Sequence, residues 1–191
     1  IGLYTLAEKV QVNSSRVNIT DMEDVIDEAL NNGQSLDEID KTGGYLLEID
    51  NTYDTPRINT DNGSRVTIKS PETLDTLPPS DPNSRYKYIN DLICDLFRAV
   101  YGDGYLSDGR HFTEVLDMDS VARYLLHQEL VSNKDCCKGS TFLYKDTDSV
   151  DPTIYMGPVW DCDTALTSEF DTQWPVSYTH LRAHETRRHL V

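Results

Sequence analysis

The chain has 191 residues, of which 38% are hydrophobic, and its 33 acidic and 17 basic residues give a formal net charge of -16. This length fits one domain or a large piece of one. The negative charge argues against nucleic-acid and anionic-membrane partners, because both would repel it. The charge suits a soluble protein that binds cations or basic peptides, although solubility alone would also account for it. The sequence contains no apolar run of about 18 residues, so it predicts no membrane-spanning helix.

Both ends of the chain are expected to be artificial boundaries. Residues 176–191 differ in character from the rest, and a back-translation of residues 176–186 resembles the end of a transposase sequencing adapter read in frame. We therefore expect a non-native tail and leave it, with three of the five histidines, out of the fold predictions. Residues 1–6 do not begin with Met and are typical of the middle of a strand, so we expect a fragment truncated at both ends.

The first elements of the chain are predicted to be two strands and a helix. Residues 3–12 and 16–19 have the composition of strands and are joined by a polar turn. Thr20 and Glu23 then form a capping box, and apolar residues recur at helical spacing until Gly33 ends the helix. The apolar residues of this helix are Met22, Val25, Ile26, Ala29 and Leu30.

Two further strands are predicted before a connector. Residues 45–49 follow a pair of glycines and form a clear strand, and residues 66–69 form a shorter one. Between them, residues 50–65 are polar and contain an Asn-Gly pair, which favours a hairpin or loop. Residues 1–69 therefore make a strand-rich part, and the four prolines in residues 70–83 mark a connector.

Residues 84–175 are predicted to be rich in helix. Ser84 caps the helix with the most continuous apolar face, and Gly102 ends it. Either Asp117 or Asp119 caps the next helix. The side chains expected to be buried are Ile89, Leu92, Ile93, Leu96, Phe97 and Val100 in the first of these helices and Val121, Ala122, Leu125 and Leu126 in the second.

Acidic residues flank a hairpin predicted after the second of these helices. Asp135 lies in the polar loop of residues 133–139, and Asp161 follows the predicted strands 141–144 and 154–160. The catalytic lobe of protein kinases has the same order, with one Asp that accepts the proton of the substrate hydroxyl and a second that binds the metal on the phosphates. By spacing alone, two loop carboxylates exposed to water would explain the pattern as well, because an acidic chain yields such pairs by chance.

Several stretches of this sequence resemble the CotH kinase family. The most specific are GGYLLEID at residues 43–50 and the WDCD that closes residues 157–163. The resemblance implies an α+β, atypical protein-kinase-like fold, with a partial strand-rich N-lobe followed by a helix-rich C-lobe. It also implies transfer of the ATP γ-phosphate to Ser or Thr of a secreted, spore-coat or cell-surface protein, since members include spore-coat kinases and extracellular bacterial proteins. Shorter matches lie at residues 2–10, 16–19, 68–72, 117–124, 128–135 and 144–146.

The same resemblance implies a role for each acidic residue near the hairpin. Asp135 would be the catalytic-loop Asp and Asp161 the Asp that binds Mg²⁺ or Mn²⁺. Asp163 would assist the metal or cap the next turn. Ser140 stands where the family has an Asn metal ligand, and a hydroxyl ligates a hard cation less strongly than an amide oxygen. Cys162 replaces a larger residue, so looser packing is expected there.

Two residues of the first part are candidates for contacts with ATP. Glu48 follows an apolar strand and lies either near an adenine-binding hinge or at an exposed strand end. Lys9 is the candidate phosphate-binding Lys within the chain, and the alternative is a Lys upstream of it. With an incomplete nucleotide-binding lobe, the fragment is expected to be inactive alone. The competing function is a non-catalytic surface module for adhesion or glycan binding, which would keep the fold without turnover.

Overall fold

The computed structural model describes residues 9–50, 52, 54–72, 74, 77–133, 136–162 and 165, apart from the side chain of Asp37. These residues combine helices with an antiparallel sheet, which confirms the predicted α+β class. Two short 3-10 helices lie at Leu36–Glu38 and Phe112–Glu114. The longer elements are, in chain order, α1 (Met22–Asn31), β1 (Tyr45–Ile49), β2 (Arg57–Asn59), β3 (Arg65–Ser70), α2 (Arg85–Tyr101), α3 (Met118–Val131), β4 (Thr141–Lys145) and β5 (Ile154–Met156).

The sheet draws its strands from both predicted parts of the chain. Its order is β2-β3-β1-β4-β5, and all neighbouring strands are antiparallel. The central strand, β1, has the predicted bounds, and its first four residues are buried. The β4–β5 hairpin is confirmed, but β5 ends at Met156 rather than at residue 160. It ends there because the peptide nitrogen of Pro158 has no hydrogen to donate to a neighbouring strand.

The two faces of the sheet carry different side chains because successive residues of a strand point to opposite sides. One face packs against α2, where Leu47, Val66 and Leu143 join Ile89 and Ile93 in the larger apolar cluster. The other face carries a smaller cluster whose buried members are Val17, Leu46 and Phe142, with Val10, Val12, Ile19, Tyr144 and Trp160 packed against it. This second face is therefore only partly covered by apolar side chains.

The segment before α1 differs from its prediction. Residues 9–19 contain no strand; they form a turn with one isolated bridge between Val12 and Val17. The rest of the predicted strand 3–12 lies outside the described residues. The cap of α1 is Asp21, which accepts a hydrogen bond from the Glu23 amide at 3.2 Å, so the expected cap at Thr20 is wrong by one residue.

The helix α2 follows its prediction closely. The hydroxyl of Ser84, itself buried, accepts a hydrogen bond from the Lys87 amide, and the helix ends at the glycine predicted to stop it. Val100 is 44% exposed, and Ala99 is buried in its place. The face of α2 that points to the core is shifted by one residue in the last turn of the helix. Helical periodicity alone therefore predicted the wrong buried residue there.

The helix α3 buries a different face from the one expected. Asp117 is its cap, but Ala122, Leu125 and Leu126 are exposed, which makes that part of the burial prediction wrong. The buried residues are Tyr124 and Gln128. Hydrogen bonds to two of their polar atoms hold this face inward: the Tyr124 hydroxyl lies 3.1 Å from Thr141 Oγ1, and Gln128 Oε1 accepts from Asn133 Nδ2 at 2.9 Å.

The exposed side of α3 gives a simple stability test. Leu126 is 65% exposed, whereas Ile93 in α2 is fully buried. Replacing Leu126 with Gln is therefore expected to change the free energy of unfolding by less than about 0.5 kcal/mol, while Ile93→Ala should cost about 2–5 kcal/mol. Urea denaturation of the two variants and the unaltered chain measures both. A loss of several kcal/mol in Leu126→Gln would mean that this face is covered in solution.

A buried lysine ties β4 to the segment that precedes β1. Lys145 is 2% exposed. Its Nζ donates to the carbonyl oxygens of Thr42 at 2.6 Å and Asp146 at 3.0 Å and lies 2.5 Å from Asp148 Oδ1. All three hydrogens of the ammonium group therefore have acceptors, as a buried cation requires. This contact fixes the loops at one end of the sheet.

None of the described helices is both long and apolar enough to cross a membrane.

Candidate functional site

An open cleft of about 1380 Å³ lies on the sheet face that α2 does not cover. Leu46, Phe142 and Trp160 give it an apolar floor, since they belong to the smaller apolar cluster. Residues 9–12 and the first turn of α1 form a wall. The rest of its lining is mostly polar or charged, so the floor is the part that resembles the apolar lining usual in small-molecule sites.

Glu48 and Lys69 form an ion pair inside this cleft. Glu48 alternates onto the cleft face of β1, where it lies opposite Thr67 of β3 and Phe142 of β4. Its side chain is only 9% exposed, and the Lys69 Nζ lies 2.8 Å from its Oε2. The exposed strand end is therefore the wrong alternative for Glu48. A buried carboxylate needs a cation or several hydrogen bonds, and Lys69 supplies the cation.

The protonation of Lys69 is secured by its neighbours. Burial of the amine acts to lower its pKa, but the hydrogen bond to Glu48 and the negative charges of Glu48 and Asp54 outweigh burial, so the pKa lies above its ordinary value. Asp54 Oδ2 is 3.6 Å from the amine. Lys69 therefore carries a full positive charge at neutral pH in a cleft whose floor is apolar, and it is equipped to bind an anionic group.

Lys69 is the functional candidate that sequence reasoning missed. Lys9, which the sequence offered as the candidate phosphate-binding Lys, is exposed and lines the same cleft. The sequence did contain a signal: Lys69 lies in the predicted strand 66–69 and within residues 68–72, one of the stretches that resemble the CotH kinase family. Its partner across the sheet depended on a register that includes an irregularity between Leu46 and Leu47. Local sequence patterns do not encode such a shift.

The hairpin brings Ser140 and Asp161 together at its open end. Ser140 lies just before β4, Asp161 follows β5, and the Ser140 hydroxyl donates to Asp161 Oδ2 at 3.1 Å. Both residues have left-handed backbone conformations, with φ of 48° and 54°. Residues other than glycine that adopt this conformation are concentrated at functional sites and turns. Asn133 Nδ2 reaches the backbone oxygen of Asp161 at 3.4 Å and so ties the loop after β5 to the end of α3.

The chemistry of this pair fits a hard divalent cation. Carboxylate and hydroxyl oxygens are ligands that Mg²⁺ accepts, and Mg²⁺ usually takes one or two carboxylates together with water and substrate phosphates. Across the described ranges, no three His, Cys, Asp or Glu side chains form a group that would hold a metal without a substrate. Asp135 and Asp163 lie outside the described residues, so their roles stay predictions.

Acidic side chains surround the cleft. The carboxylates that line it besides Glu48 are those of Asp21, Glu23, Asp24, Asp50, Asp54 and Glu72. They would attract cations, including a metal that accompanies a polyanion, and repel a free anion. An anionic ligand is therefore favoured here only when a metal neutralises part of its charge.

A protein-family model described as CotH kinase protein matches residues 1–187. This range includes most of the tail at residues 176–191, whose foreign origin stays a prediction. Neither the curated proteins nor the solved structures include one that matches this chain.

Proposed function

This chain belongs to the CotH kinase family, and from that premise we propose that it forms part of an atypical protein kinase. Its reaction would move the γ-phosphate of ATP to the hydroxyl of Ser or Thr on a secreted, spore-coat or cell-surface protein. The observation that carries the proposal is the Lys69–Glu48 ion pair at 2.8 Å inside the open cleft. Protein kinases bind ATP phosphates with a strand Lys held by a Glu, which lies on a helix in those enzymes and on the neighbouring strand β1 here.

The cleft suits both ends of a nucleotide. Its apolar floor of Leu46, Phe142 and Trp160 offers rings and an aliphatic side chain to a flat purine base. Lys69 would donate to a phosphate oxygen while Glu48 keeps its amine in place. Aromatic contact and a charge-assisted hydrogen bond would therefore orient the nucleotide along the sheet.

The hairpin would supply the groups for the phosphates and the acceptor. Asp161 and Ser140 would hold Mg²⁺ or Mn²⁺, which neutralises charge on the phosphates when bound. Asp135 is proposed to accept the proton of the Ser or Thr hydroxyl as its oxygen bonds to the γ-phosphorus. The bond from that phosphorus to the bridging oxygen breaks, and ADP leaves with that oxygen. Positioning of these groups is the main contribution that a protein makes to phosphoryl transfer.

The charge of the chain supports a basic protein substrate. The cleft is surrounded by carboxylates, and the formal net charge is -16. A basic segment beside the acceptor hydroxyl would be attracted to this surface, with an effect that weakens at high salt.

Replacing Lys69 with Met tests the nucleotide site directly. Loss of a charge-assisted hydrogen bond of about 1.5–3 kcal/mol predicts an ATP affinity lower by about 10- to 100-fold in the presence of Mg²⁺. Isothermal titration calorimetry with a non-hydrolysable ATP analogue measures this without requiring turnover. Lys87→Met is the matched control, because Lys87 lies on the surface of α2 and pairs with Asp91. Equal affinities of Lys69→Met and the unaltered chain, or no nucleotide binding by either, would refute the proposed site.

The competing function is a non-catalytic surface module, and one observation favours it. Ser140 replaces the expected Asn ligand, and its hydroxyl donates to Asp161, so one oxygen of the metal-binding pair is already engaged. Such a module would bind an adhesion partner or glycan without turnover. ATP binding with no transfer in the full-length protein would support this alternative.

A further inference from the structure

Two free thiols lie side by side in the loop between α3 and β4. The Sγ atoms of Cys136 and Cys137 are 3.3 Å apart, and neither cysteine is in a disulfide. Cys137 is exposed and has a left-handed backbone with φ of 63°. The proposed phosphoryl transfer uses neither thiol. A pair of sulfur atoms at this distance is close enough to share one proton.

The thiols of Cys136 and Cys137 differ in acidity. The hydrogen bond from Cys136 stabilises a thiolate on Cys137 and so lowers the pKa of Cys137. The same hydrogen bond, together with burial, raises the pKa of Cys136. The exposed sulfur is therefore the better nucleophile, and the protonated one lies beside it. An exposed nucleophilic thiol next to a second thiol is the arrangement found in redox-sensing cysteines.

We propose that Cys136 and Cys137 form a modification site that hydroperoxides oxidise to a disulfide between the two residues. The Cys137 thiolate attacks a peroxide oxygen, the O–O bond breaks, and the departing hydroxide takes up a proton to become water. This leaves a sulfenic acid on Cys137. The Cys136 sulfur then attacks that sulfur, the S–S bond forms, and the sulfenic hydroxyl leaves with the Cys136 proton as water. In sum, two thiols and one hydrogen peroxide give one disulfide and two waters.

This disulfide would be reversible. Consecutive Cα atoms are about 3.8 Å apart, which is shorter than the roughly 4.4–6.8 Å usual between bridged cysteines. A bond across this spacing is strained, and strained exposed disulfides are the ones that small thiols reduce easily. The loop would therefore pass between reduced and oxidised states according to the peroxide and thiol around it.

The sequence around the pair allows a clean chemical test. Trypsin cleaves after Lys134 and Lys138, so residues 135–138 form a tetrapeptide that carries both thiols and neither Cys94 nor Cys162. The folded chain is treated with hydrogen peroxide, blocked with iodoacetamide, digested and measured by mass spectrometry. We expect the tetrapeptide to lose the mass of two hydrogen atoms, to escape alkylation, and to regain two alkylatable thiols after dithiothreitol. Cys94, whose pKa is raised by burial, serves as the internal control that stays alkylatable.

Single substitutions separate the two roles. Cys136→Ser is expected to stop at a sulfenic acid on Cys137, which dimedone traps, and Cys137→Ser is expected to oxidise much more slowly. Three results would overturn the proposal: a tetrapeptide that stays fully alkylated, a disulfide that joins two chains or reaches Cys162, or equal rates of disulfide formation in folded and urea-unfolded protein. These readouts need no kinase activity, so they stand or fall independently of the proposed function.

Discussion

Replacing Asp161 with Asn is expected to lower the rate of γ-phosphate transfer by about 10²- to 10³-fold, the usual loss when one group that stabilises developing charge is removed. Asn keeps the shape of the side chain and an oxygen that can accept from Ser140, whose hydroxyl lies 3.1 Å from Asp161 Oδ2. The change therefore removes the charge that would hold the metal and little else. Because Asp161 is exposed, the free energy of unfolding should hardly change.

The measurement is single-turnover transfer from labelled ATP in the full-length protein. The Mg²⁺ dependence of ATP affinity is a second readout on the 191-residue chain. Asp119→Asn is the matched control, because this carboxylate is 83% exposed on α3 and pairs at 3.6 Å with Arg123. Transfer that survives Asp161→Asn would place the metal on other residues. Absence of transfer in both the variant and the unaltered protein would favour the non-catalytic alternative.

Replacing Gly43 with Ala is expected to destabilise the fold by more than about 3 kcal/mol, the upper end of ordinary overpacking. A Cβ at this position would lie 1.9 Å from the backbone oxygen of Asp146 and 2.1 Å from the backbone nitrogen of Thr147. Backbone atoms cannot move aside as a flexible side chain would. Here they are also held by Lys145, whose Nζ bonds to both loops. The substitution should therefore separate the segment before β1 from the end of β4.

Gly63→Ala is the control for this prediction. Gly63 has φ of +85° and no atom within 4 Å of its would-be Cβ, so the variant should lose only the roughly 1–2 kcal/mol of a left-handed backbone. Urea denaturation followed by circular dichroism gives the midpoint and slope for both variants. A loss in Gly43→Ala no larger than in Gly63→Ala would show that the two loops separate at little cost.

Local signals in the sequence were sufficient for β1, for the starts of α2 and α3, and for the hairpin end of the candidate site. The bounds of β1 and the caps Ser84 and Asp117 follow from residues next to them in the chain. The approach of Ser140 to Asp161 also follows from local structure, because an antiparallel hairpin brings its two outer ends together.

The rest depended on contacts between distant residues. The Lys69–Glu48 pair requires the register between β1 and β3, which an irregular pairing shifts. The buried face of α3 was predicted wrongly because the spacing of apolar residues indicates an apolar face of the helix but not whether another element packs against that face. There the hydrogen bonds of Tyr124 and Gln128 turned the polar side inward. In both cases the deciding partners lie on other elements, where propensity carries no information.

The central position of β1 has a consequence for how the protein acquires its structure. One edge of β1 pairs with β4, and the contact between the Lys145 Nζ and the Thr42 oxygen joins residues 103 positions apart. Folds dominated by such distant pairings form slowly, on the order of milliseconds to seconds. During synthesis, the edge of β1 that pairs with β4 keeps its backbone groups unpaired until the last residues of β4 have left the ribosome. A nascent chain of this kind is therefore expected to depend on chaperones and, without them, to aggregate through that edge.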